Sequence, residues 1–236
     1  MDFEMFSAAH FGALAILVAA IICIIVFRKR MRVPRINRMV RIGLAILLIC
    51  CEVSLQLSYI RNDNWGVGSL PFQLCSLMLL VSAVVLLWNP KSLYDALFFL
   101  GSMGALQALL TPNLDEAFPH FRFFQFFIAH IGIVSAALFI VVVERYRPTF
   151  SSVVKAQLWL HVFAIPAAIT NVASGKTNFM FLAEKPGTAS LLDMLGPWPW
   201  YLLQLELIAF VIFLLLYAAV RLLDRLIFVK PSSSAQ

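Results

Sequence analysis

Apolar residues in this chain come in long unbroken runs, without the every-other-residue pattern of a half-buried strand. Seven runs, 11–27, 39–60, 70–88, 93–110, 121–143, 153–172 and 200–222, make up most of its 236 residues. Each is close to the ~20 helical residues that cover a hydrocarbon core of ~30 Å at ~1.5 Å per residue. Backbone N–H and C=O groups in lipid must bond within their own segment unless strands close into a barrel, and the runs lack a barrel's alternation. The expected fold class is therefore all-α, a polytopic membrane protein built as a seven-transmembrane-helix bundle. A single transmembrane domain covers 1–230, and the small polar tail 231–236 reads as disordered. The sixth run is broken by Lys155, Gln157, His161, Pro166 and Asn171, which suits a helix lining a cavity better than one facing lipid.

Charge sets the expected orientation. Arg28, Lys29, Arg30, Arg32, Arg35, Arg38 and Arg41 crowd the first loop, Arg145, Arg147 and Lys155 lie in the third loop on that side, and Arg221, Arg225 and Lys230 follow the last run. Asp2, Glu4, Asp63, Asp115 and Glu116 fall on the other side. Lys and Arg stay cytoplasmic in short loops, so the N-terminus is expected outside and the C-terminus inside a cell membrane crossed many times. This distribution accounts for the net charge of +6, which suits anionic headgroups and gives no reason to expect a nucleic-acid partner. The first run has acidic residues before it and basic ones after it, so it reads as a retained span instead of a cleaved signal.

Polar residues inside the runs narrow the function. Cys23, Cys50, Cys51 and Cys75 all lie within runs and show no CxxC spacing, so disulfides are not expected. His10, His120, His130 and His161 stand on separate segments with no HExxH, so neither a metal nor another cofactor is implied. With the runs oriented, Glu52 and Gln56, Gln73, Gln107, Gln125, Asn171, Glu206 and Gln204 belong to outer halves, whereas the inner halves hold mainly Asp95, Gln157 and His161. Buried polar groups in a membrane face the bundle interior or a wet cavity, so a pocket open to the outer side is expected.

Cys75 and His130 fall in that layer, about 8 and 13 Å from the outer ends of their runs at the helical rise. A thiol beside an imidazole makes a thiolate nucleophile, with the histidine acting as base and then acid. Glu206 or Glu52 then serves as the group that fixes the imidazole tautomer. The structural alternative is that Cys75 is a small apolar residue and His130 bonds a backbone carbonyl. The stretch from Asn171 to Trp200 is long for a plain connection and is expected to be either a lid or an interfacial anchor. Its Lys176 and Lys185 offer contacts to a phosphate or carboxylate, and the GPWPW segment at 196–200 sets a rigid aromatic turn.

The stretches LPFQLCSL at 70–77, DALFFLGSMGALQALLTP at 95–112, QFFIAHIG at 125–132, and NFMFLAEKP with SLLDMLGPWPWY between 178 and 201 resemble the YwaF-like family of bacterial integral membrane proteins. Eukaryotic relatives are similar to membrane acyltransferases that move a fatty acyl chain between phospholipids without acyl-CoA. The resemblance implies that Cys75 of LPFQLC is the acyl-accepting nucleophile and His130 of FFIAHIG its base. Gln73 stands where some relatives have histidine, which leaves it a hydrogen-bonding role. The implied reaction is attack by the Cys75 thiolate on a phospholipid ester, then transfer to a lysophospholipid or water. Arg122, Lys176 or Lys185 is expected to hold the headgroup phosphate, and Gln125 or Asn178 the oxyanion. Membrane lipids are then the partners, with no protein partner indicated. The competing expectation is a transporter or sensor that binds a small polar or amphiphilic ligand in the same cavity, with Glu52 and Glu206 as counter-charges.

Overall fold

A computed structural model describes residues 3–187 and 191–228; the tail 231–236 lies outside the described residues. All regular structure among them is helical: α1 (Ala8–Met31), α2 (Pro34–Arg61), α3 (Leu74–Trp88), α4 (Lys91–Leu110), α5 (Phe121–Val142), α6 (Phe150–Ser174) and α7 (Trp200–Phe228). Six of these are long and apolar enough to cross a membrane, and α3 is the shorter exception. Its run begins at Leu70, yet the helix begins only at Leu74. The cause is Pro71, which lacks an N–H and holds Leu70 extended, so a short 3-10 turn over Val67–Ser69 and an extended entry precede the helix.

The helix limits follow from local chemistry. Pro34 opens α2 at its first turn, where a missing N–H costs nothing. Asn89 in the left-handed region closes α3, and Gly175, with φ of +60°, closes α6. In α4 the chain passes from a 3-10 turn through a wide π turn at Leu97–Gly101, all five residues of which are buried. An added Cβ on Gly101 meets Leu97 at 3.1 Å and Ile133 at 3.3 Å, so α4 and α5 are in close contact there.

α5 is the central helix. It packs against α1, α2, α3 and α4, and its Ile133, Ala136, Ala137, Phe139 and Ile140 are at most 1% exposed. α6 and α7 form an outlying pair that holds to the rest through α4, Phe213 against Phe99, and the 175–199 loop. The end where α1 meets α2 is tied by cations bonded to helix C-termini. Arg32 donates to the carbonyls of Val142 and Val143 at 2.6 and 3.2 Å, Arg41 to Leu86 at 2.8 Å, and Arg147 to Val141 at 2.7 Å. Arg147 also pairs with Asp224 at 2.7 Å, and the Tyr146 hydroxyl donates to buried Asp95. Burial first, and then its bond to Asp95, pushes the Tyr146 phenol well above its ordinary pKa.

The closest interhelical approach at a glycine is at Gly132 of α5, where an added Cβ sits 2.7 Å from Cδ2 of Leu48, a fully buried side chain of α2. Gly132→Ala is expected to destabilise the bundle by about 1–3 kcal/mol, because the fully buried Leu48 side chain has to move aside. Gly12→Ala, whose Cβ has no neighbour within 4 Å, is expected to stay within about 0.5 kcal/mol of wild type. Thermal melting of the two variants in detergent, side by side, checks this.

Candidate functional site

Cys75 lies in the first turn of α3. Measured from Leu70 the thiol is about 8 Å deep at the helical rise, but the late start of the helix puts it two residues after the N-cap, Gln73. No side chain caps this helix, and its first intrahelical bond runs from the Leu77 N–H to the Gln73 carbonyl. The N–H groups of the first turn that have no intrahelical partner, and the positive end of the helix dipole, lie at this end of α3. The side chain of Gln73 accepts from the Met180 N–H at 3.0 Å, so it holds the long loop over this turn.

His130 sits on α5, one of the helices packed against α3. Its Nδ1 is 2.7 Å from the Phe126 carbonyl, which can only accept, so Nδ1 carries the proton and Nε2 keeps its lone pair. The helix backbone, then, fixes the tautomer; neither Glu52 nor Glu206 bonds His130. The Phe126 ring lies against the imidazole at 4.2 Å between centroids. Two turns earlier, Arg122 lies over the Phe126 ring at 5.7 Å and donates to Gln125. Among the described residues no hydrogen bond joins Cys75 to His130. Catalytic contacts of this kind often tighten only around substrate.

The α2 residues support the same region. Gln125 donates to the Cys51 carbonyl at 3.3 Å. Next to it, buried Glu52 accepts from Gln56 at 3.0 Å, while Gln56 also donates to the Ser69 carbonyl and accepts from Trp65. Glu52 and Gln56 thus anchor the segment that leads into Cys75. A cavity of about 690 Å³ opens beside them, lined by Ser58 and Arg61 at the end of α2, Asp115, Glu116 and His120 before α5, and Arg122. Cys75 and His130 do not line it; Arg122, on the helix that carries His130, does. Arg61 escaped the sequence reading, although a cation at the otherwise acidic ends of the runs was a usable signal.

Other expected site residues have different work. Asn178 accepts from the Ala183 and Glu184 N–H groups and donates to the Glu184 carbonyl, so its amide is spent on folding the loop. Lys185 donates to the Leu195 carbonyl at 2.7 Å, and Lys176 is exposed. Gln107 is exposed on α4. Glu206 lies apart, between α6 and α7, 3.1 Å from His161 Nε2 and 3.3 Å from Gln157 Nε2. His10 is fully buried and fully used: it donates from Nε2 to the Leu109 carbonyl and accepts at Nδ1 from the Phe6 N–H. Among the described residues no group of three metal-ligating side chains converges.

Apolar helices around a central α5, six of them long enough to cross a membrane, define an all-helical membrane protein. The family model described as the TMEM164 family matches residues 5–217, and the chain belongs to that family of membrane proteins. No curated protein and no solved structure matches it.

The loop anchor at Gln73 can be tested directly. Gln73→Ala removes the acceptor for the Met180 N–H, so amide hydrogen exchange across 179–184 is expected to rise about fivefold, as suits one lost hydrogen bond, while that of α1 stays unchanged.

Proposed function

We propose that this membrane protein transfers fatty acyl groups between phospholipids through a Cys75 thioester, with His130 as the base. The observation that carries the reading is a combination of positions: a cysteine in the uncapped first turn of α3, and on the adjacent α5 a histidine with a free Nε2 and, two turns before it, Arg122 over the Phe126 ring. The likeness of the LPFQLC and FFIAHIG stretches to the YwaF-like family, whose eukaryotic relatives resemble acyltransferases, supports the same two residues.

In this reading His130 Nε2 takes the thiol proton and the thiolate attacks the ester carbonyl of a phospholipid. The tetrahedral oxyanion is met by first-turn N–H groups of α3. As the C–O bond breaks, the imidazolium returns the proton to the departing lysophospholipid oxygen. A second lysophospholipid hydroxyl, deprotonated by the same Nε2, then attacks the thioester and restores the thiol. Arg122 and Arg61 at the cavity hold the headgroup phosphate. We infer further that all seven helices cross the membrane, with α3 completed by the segment before it, the N-terminus outside and the C-terminus in the cytoplasm. The Arg and Lys residues at the end where α1 meets α2 support that orientation.

A second reading, binding or transport of a small ligand without bond cleavage, draws on the Glu206, His161 and Gln157 cluster inside the membrane helices, a common location for coupling groups. It makes Glu206→Gln the damaging change and leaves Cys75→Ala harmless.

Intact-mass spectrometry of purified protein incubated with mixed phospholipids decides between them. An acyl mass that hydroxylamine removes is expected on wild type, absent from Cys75→Ala, and retained as a hydroxylamine-resistant ester in Cys75→Ser. His130→Ala is expected to slow its formation by about 10²–10⁴-fold, and Arg122→Gln to raise KM about tenfold. If no adduct forms with any phospholipid, acyl transfer through Cys75 is wrong.

A further inference from the structure

At the end where α1 meets α2, the cations divide into two sets. Arg32, Arg41 and Arg147 are used on backbone carbonyls at helix ends. Arg35 and Arg38 make no hydrogen bond or ion pair among the described residues, and they stand at the head of a furrow on the outward face of α2. One hollow of about 790 Å³ runs from Pro34 past Arg35, Arg38 and Met39 to Ile42 and Gly43. A second, of about 480 Å³, shares Pro34, Arg38 and Ile42 with it and reaches across to Trp88 at the end of α3.

Positions 35, 38, 39, 42, 43 and 46 recur at three- and four-residue spacing, so they share one face of the helix. Met39 is 65% exposed and Ile46 53% exposed, both inside a membrane-length helix. At Gly43 nothing lies within 4 Å of where a Cβ would be, which leaves a notch in the stripe below the two arginines. Trp88 stands 73% exposed at the mouth, as tryptophans do at headgroup depth. From Arg38 to Ile46 the stripe runs about 12 Å along the helix, room for much of an acyl chain.

Two guanidinium forks over an apolar furrow match a phosphodiester over its hydrocarbon chain, since Arg binds phosphate oxygens in pairs. Charge points the same way. Burial, then the nearby Arg145, Arg28 and Arg147, hold the Arg32 guanidinium below its ordinary pKa, so this end has more cations than its carboxylates balance. Glu144 and Asp224 are already engaged by Asn37 and Arg147. We infer that the furrow headed by Arg35 and Arg38 is a binding site for an anionic phospholipid of the leaflet at this end. The site is remote from Cys75 and does not depend on acyl transfer.

Native mass spectrometry of the full chain, given equal amounts of phosphatidylglycerol and phosphatidylcholine with identical chains, tests it. Wild type is expected to retain phosphatidylglycerol about tenfold over phosphatidylcholine, and the combined Arg35→Gln and Arg38→Gln variant to lose that preference. The combined Lys29→Gln and Arg30→Gln variant, equal in charge removed, is expected to keep it. Gly43→Leu fills the notch without a clash and with a better helix former, so it is expected to weaken phosphatidylglycerol retention severalfold in a folded protein. Millimolar inorganic phosphate is expected not to displace the lipid. Absence of the preference in wild type, its survival in the Arg35 and Arg38 variant, its equal loss in the Lys29 and Arg30 variant, or displacement by phosphate overturns the assignment.

Discussion

The contact between Gly132 of α5 and Leu48 of α2 sets the register on which the site depends. With no side chain at 132, the two backbones come close enough for Leu48 to fill the gap completely. One turn from Leu48, the Cys51 carbonyl then lies within reach of Gln125, and one turn further Gln56, bonded to Glu52, meets the segment that delivers Cys75. On α5 the same register sets Arg122, Phe126 and His130 along one edge. A bundle in lipid gains little from burying hydrocarbon, so close packing of this kind has to do the ordering that a hydrophobic core does in water.

The two ends of the bundle solve the problem of orphan helix groups differently. At one end, arginines reach across to the carbonyls that close α3 and α5, which binds α1, α2, α3 and α5 into a fixed frame. At the other, Ser7 caps α1 by accepting from the His10 N–H, but neither α3 nor α5 has a side-chain cap. Uncapped N–H groups at an end that also holds Arg61 and Arg122 make that end receptive to anions, whereas the arginine-sealed end has its carbonyls satisfied. The two ends thus differ: at one the closing carbonyls of α3 and α5 are bonded by arginines, and at the other the starts of the same helices keep their N–H groups uncapped.

Much of this was legible from residue type and spacing alone. The all-helical build and the presence of six long apolar helices follow from run length and helical rise. The depth of Cys75 did not, because counting from Leu70 ignores what Pro71 does to the chain. The assignment of a carboxylate to His130 failed for a different reason: a helical histidine can turn back to its own i−4 carbonyl, a local bond that competes with any distant acid. Glu206 and Glu52 share a predicted depth, yet depth says nothing about the angular position of α7, which stands outside α5 with α6. The role of Asn178 was hidden in loop geometry, which no periodicity encodes.

The outlying pair of helices carries one consequence of its own. His161 Nδ1 faces the Gln157 carbonyl at 2.8 Å and must donate to it, so Nε2 has a hydrogen for Glu206 only when the imidazole is doubly protonated. The Gln157 side chain donates to the same carboxyl at 3.3 Å, so Glu206 is met by two polar groups one turn apart on α6. Such mutual contacts suit two ionisable groups that stand half-exposed on thinly covered helices such as α6 and α7, where a lone charge would be costly. Removing either partner leaves the other without its counterpart in the same apolar setting, so the hairpin depends on the pair being complete.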